Sequence, residues 1–63
     1  MNTLNPLDAY RHAGKQAGKA MKRGDMGLCN HWRRHFQRMR DLESAEARPV
    51  VALEYQEGYR EAR

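Results

Sequence analysis

Sixty-three residues with twelve Lys/Arg against eight Asp/Glu, a net charge of +4 and a mean hydropathy of −1.07 describe one small, basic, strongly polar domain at most. A chain this short buries only about 60% of the surface its unfolded form exposes, so support from a disulfide, a metal or a partner is expected. Its one cysteine, Cys29, rules out an internal disulfide, and no apolar run approaches the ~18 residues of a membrane span.

The opening residues carry no hydrophobic signal-peptide stretch, and a lone cysteine suits a reducing compartment, so a cytoplasmic protein with no membrane partner is expected. Asn5-Pro6-Leu7-Asp8 reads as a helix start: Asn5 can cap, Pro6 suits the first helical position, and Asp8 favours the positive helix end. The pattern runs to Arg23, where Gly24 can adopt the left-handed conformation that stops a helix, and Asp25 offers a new cap. A helix over 6–23 followed by a tight helical hairpin is predicted. Along that helix Leu7, Tyr10, Gly14, Ala17 and Met21 recur at three- and four-residue spacing, widened by Ala13, Gly18 and Ala20. So small a face lets another helix approach closely, and a homodimer through it is expected. Arg11, Lys15, Lys19 and Lys22 form a basic stripe on the other side, either a solvated face or an electrostatic docking surface.

The second helix is predicted from Met26 to about residue 43. Leu28, Cys29, Trp32, Phe36, Met39 and Leu42 fall within one apolar arc. Arg33 and Arg40 flank it on one side, Arg34 and Arg38 on the other. Their aliphatic stems suit the edge of a core, and arginine beside tryptophan also suits an interface hot spot. Ser44 and Pro49 both look like starts for a third helix, written here as 49–61, because proline makes an unbroken helix through Arg48-Pro49 unfavourable. In that segment Val51, Tyr55, Tyr59 and Ala62 share a face with Gly58 beside it, while Glu54, Glu57 and Glu61 line an acidic stripe. Charge is therefore divided, +7 over residues 1–40 and −3 over residues 41–63. The acidic stripe can pair with the basic one, within the chain or across a dimer.

Little in the chain suggests catalysis. His31 and His35 lie four apart, as zinc-binding pairs do, but Cys29 turns away from His31 on a helical wheel and His12 is the sole further histidine. No phosphate loop, oxyanion pocket or paired acids can be placed, so neither an enzyme nor a cofactor is expected. Basic residues along a helix suit phosphate contact, and Trp32 could stack on a base. A DNA-reading helix-turn-helix over 6–42 fits poorly, since Gly-Asp suggests an antiparallel hairpin.

Two resemblances add to this reading. The Ala/Gly-rich first helix, Arg23-Gly24-Asp25 at the turn and the ending Glu57-Gly58-Tyr59-Arg60-Glu61-Ala62-Arg63 look like the short helical accessory proteins of bacteriophages and prophages. That class, with anti-CRISPR proteins and a quorum-sensing anti-activator among its examples, implies a partner surface on a host protein. Gly14-Lys15-Gln16-Ala17-Gly18, Cys29 and the closing Gly-Tyr-Arg-Glu-Ala resemble ribosome modulation factor, which implies ribosomal RNA contact. Asn30-His31 replaces the proline and aromatic residue of that family after the cysteine, and the region between Arg33 and Arg48 departs from it.

The expectation is thus a single all-α domain over 1–63, a helical hairpin plus a third helix. Its core or dimer contacts are Leu7, Tyr10, Gly14, Ala17, Met21, Leu28, Phe36, Met39, Leu42, Tyr55 and Tyr59. Arg11, Lys15, Lys19, Lys22, Trp32, Arg33, Arg34 and Arg38 are expected to bind and inhibit a host protein with an acidic surface. The alternative is a nucleic-acid- or ribosome-binding accessory protein.

Overall fold

The structure, a computed structural model, describes residues 6–63, and the Asn5 cap lies outside them. Its helices are α1 (Pro6–Arg23), α2 (Met26–Asp41) and α3 (Arg48–Ala62), and no strand occurs among the described residues.

The α1–α2 turn follows from two residues. Gly24 has φ +79°, and the amides of Gly24 and Asp25 donate back to the carbonyls of Met21 (3.0 Å) and Ala20 (2.8 Å), closing α1 in a Schellman arrangement. Asp25 then caps α2 by accepting from the Leu28 amide at 3.1 Å. The second connection combines both candidate signals. Ser44 starts a turn in which its carbonyl accepts from Ala47 and Arg48, and α3 begins at Arg48 with Pro49 in its first turn, where a missing N–H costs nothing.

α1 lies at the centre. Its small-residue face is covered by α3 of the same chain, which corrects the expectation that this face is free for a dimer. Gly14 faces the Tyr55 carbonyl, Gly18 the Tyr59 carbonyl, and Gly58 of α3 faces the Arg11 carbonyl so closely that a methyl group at any of the three would overlap it. Absence of side chains on both partners lets two backbones meet, an approach that suits weak Cα–H···O contacts.

Two apolar clusters fill the remaining space. Tyr10, Phe36 and Val51 form one, with Leu7, Met39, Ala52 and Tyr55 packed against it. Ala17, Ala20 and Cys29 form the other, bordered by Met21, Leu28, Trp32, Tyr55 and Tyr59. Leu42 is the departure from the predicted arc: α2 ends at Asp41, Leu42 forms its C-cap, and the residue is 88% exposed.

Tyr10 joins the first cluster to the α2–α3 connection, its hydroxyl donating to Glu43 Oε2 at 3.0 Å. Burial first, then the hydrogen bond and charge of Glu43, push its pKa up to about 12 from an ordinary 10. A phenol that holds its proton more tightly when folded stabilises the fold fully below pH 10, and that contribution is lost as pH climbs from 10 to 12. The melting temperature should therefore drop through this window. Tyr10→Phe should flatten the drop, leaving the share of Tyr55, whose pKa burial also raises. An unchanged alkaline slope in Tyr10→Phe would assign the effect elsewhere.

Candidate anion-binding surface

The basic stripe of α1 divides in two. Arg11 and Lys15 lie against α3, where Arg11 Nη2 pairs with Glu57 at 2.8 Å and Glu61 at 3.4 Å, and Lys15 Nζ reaches Glu61 at 3.5 Å. Glu57, then Glu61, raise the Arg11 pKa. The acidic and basic stripes thus meet within one chain, and Glu54 adds its field at Arg11. Of the expected stripe of Arg11, Lys15, Lys19 and Lys22, the first two thus seal the edge of the glycine contact, paired with acids of their own chain. Lys19 and Lys22 remain exposed, with Lys19 beside a shallow cleft next to Glu61 and Ala62.

Trp32 is half-buried between α1 and α2 and carries three histidines edge-on. His12 from α1 and His31 and His35 from α2 stand at ring-centroid distances of 5.7, 5.6 and 5.6 Å, each nearly perpendicular to the indole. This packing fastens Trp32 into the hairpin and leaves it a rim residue more than a free anchor. Cys29 is buried while His31 is exposed, so the two point apart as the wheel requires. Among the described residues no three metal-binding side chains gather at one point.

The outer face of α2 has a different character. Asn30, His31, Arg33, Arg34, His35, Gln37 and Arg38 are all exposed. Among the described residues Arg33, Arg34 and Arg38 make no ion pair, and the only acid on this helix, Asp41, sits at its end beside Arg40 at 3.7 Å. The reason is positional: α1 takes the apolar edge of α2, the acids of α3 turn toward α1, and among the described residues no element covers the opposite side. Shallow clefts along this face are lined by Asn30, His31, Arg34, His35 and Arg38 on one flank, and by Arg33 and Gln37 on the other. No large apolar side chain lines either cleft. The exposed apolar residues Met26, Leu42, Val50 and Leu53 lie at the ends of α2 or on α3.

A third depression opens where α2 and α3 diverge. It is lined by Arg33, Tyr55, Gln56, Tyr59, Arg60 and Arg63, with a volume of about 340 Å³. Only Arg33 of these comes from α2; Tyr55 and Tyr59, expected in the core, also gather basic residues around them. A signal was present in the sequence: Gln56, Tyr59, Arg60 and Arg63 share one side of a helix.

Compared with known protein families, curated proteins and solved structures, the chain produces no significant match.

Proposed function

We propose that the protein is a non-enzymatic binding module that engages nucleic acid through the outer face of α2. The observation that carries this reading is the row of uncompensated cations Arg33, Arg34 and Arg38, interleaved with Asn30, His31, His35 and Gln37 and without an apolar centre. Protein interfaces concentrate affinity in a dry apolar or aromatic core, which this face lacks. Phosphate recognition needs no such core: arginines neutralise the backbone and release counterions, and Asn and Gln can contact sugars or base edges. The glycines that carry the likeness to ribosome modulation factor build the α1–α3 contact, so that likeness supports the scaffold more than the cationic face.

Binding should weaken linearly with log salt. Three phosphate contacts by Arg33, Arg34 and Arg38 imply a slope of about −3 on duplex or roughly −2 on single strands. The double variant Arg34→Glu/Arg38→Glu should lower affinity across unrelated sequences and make the slope shallower by about 2, with helicity unchanged. Wild-type binding that ignores salt, or a double variant that binds normally, would sink the reading.

A host protein with an acidic surface is the second reading. It is favoured by Val50 and Leu53, 51% and 56% exposed one turn apart on α3, which could supply the apolar centre that α2 lacks. Retention of one stoichiometric protein from lysate after nuclease treatment, lost on Leu53→Asp, would favour it over the first.

A further inference from the structure

The groove between α2 and α3 is a separate feature from the outer face of α2, sharing only Arg33. Three guanidinium groups approach it, Arg33 from one helix and Arg60 and Arg63 from the other, and no acid lines it. Glu57 and Glu61 leave α3 on the edge facing α1, where Arg11 and Lys15 hold them. The floor is aromatic. Tyr55 is stacked on Phe36 at 4.1 Å and cannot swing aside, and its hydroxyl is buried with no hydrogen-bond partner among the described residues. Tyr59 carries the Arg63 guanidinium over its ring at 5.5 Å, so a planar group is already accepted there. The surrounding chemistry is thus π-faces below and cations at the rim, which together suit a flat heterocycle bearing a phosphate.

Size narrows the ligand further. About 340 Å³ is at the lower end of small-molecule sites, room for one planar group and its phosphate. We propose that this groove seats a single unpaired nucleotide, its base stacked on the Tyr59–Arg63 pair and its phosphate between Arg33 and Arg60. The proposal rests on the nucleic-acid reading where the nucleotide belongs to a strand, and it then makes the protein a single-strand binder. The same chemistry is offered by a free mononucleotide.

Fluorescence anisotropy of the full chain with a labelled single-stranded oligouridylate, with that strand paired to its complement, and with labelled uridine monophosphate separates these cases. The strand should bind more tightly than the duplex. Tyr59→Leu should weaken the strand by roughly 5- to 150-fold, the range of one lost base stack, and leave the duplex unchanged. Tyr59→Phe, which keeps the ring, should retain wild-type affinity. Arg60→Ala changes an exposed residue, so the fold is not at stake, and it should reduce strand binding and its salt slope by about 1. Equal binding of strand and duplex, with neither variant more harmful than Lys19→Ala outside the groove, overturns the groove while leaving the outer-face reading intact. No binding of strand, duplex or mononucleotide overturns both. Binding of uridine monophosphate alone, lost in Arg60→Ala, supports the groove with a free nucleotide as its ligand and overturns the polymer reading.

Discussion

Gly14→Ala and Gly58→Ala should each abolish cooperative thermal unfolding, although alanine is the better helix former by about 1 kcal/mol. At Gly14 the added methyl overlaps the Tyr55 carbonyl, and at Gly58 it overlaps the Arg11 carbonyl. Both obstacles are backbone atoms inside helices, so relief requires α1 and α3 to move apart along their whole contact. Overpacking a rigid site costs about 1–3 kcal/mol and occasionally more. Separation would also break the Arg11–Glu57 pair and uncover Ala13 and Ala17, now 1% and 0% exposed. A core this small rarely supplies more than about 3–5 kcal/mol, so the loss approaches the whole stability. Gly27→Ala is the contrasting control, because the nearest atom to its new methyl is Asp25 Oδ1 at 3.8 Å. It should raise the melting temperature. Circular dichroism melts of the three variants decide the point, and a Gly14→Ala protein as stable as Gly27→Ala would mean that the helices do not meet as described.

Phe36→Ala carries the second large effect, a loss of about 3–5 kcal/mol measured by urea denaturation. The ring is 8% exposed, edge-on to Tyr10 at 5.9 Å and stacked on Tyr55 at 4.1 Å, so it is the point where all three helices meet. Arg40 covers it from outside at 5.7 Å. Removing it opens a cavity between the Tyr10 and Tyr55 rings, bordered by Leu7 and Met39. Leu42→Ala, by comparison, should stay within about 0.5 kcal/mol despite an aliphatic side chain of similar hydrophobicity, because the leucine faces water. Equal losses from the two substitutions would mean that the Phe36 ring is no more buried than Leu42.

What could be read from residue order was what is decided locally. Gly24-Asp25 specifies a helix stop and start through its own backbone preferences and side chain, and the turn forms as those two residues dictate. The aromatic arc of α2 was visible because its large side chains repeat on one face. Leu42 departs because it caps the end of α2 and faces water, and whether a neighbouring element covers a position on the arc is a property of the fold. The α1–α3 contact was illegible for a different reason. Glycine contributes no hydrophobic signal, and the partners lie about 45 residues apart, so nothing in either segment tells an intramolecular contact from a dimer. The stripes of Arg11, Lys15, Glu57 and Glu61 were readable as complementary, yet whether they meet in one chain is a property of the fold. The outer face of α2 was legible in composition but acquired meaning only once no acid was found opposite it.

The unequal attachment of the three helices bears on how the molecule responds to a ligand. α1 and α3 are joined backbone to backbone, whereas α2 hangs on α1 by one apolar edge and meets α3 chiefly through the Phe36–Tyr55 stack. Opening α2 away from an intact α1–α3 pair is therefore the least costly partial unfolding available to the chain. The cations lie on that same helix. A polyanion bound there would act as a splint on the weakest member, and its binding energy would appear as added stability of the whole domain that grows with the logarithm of its concentration.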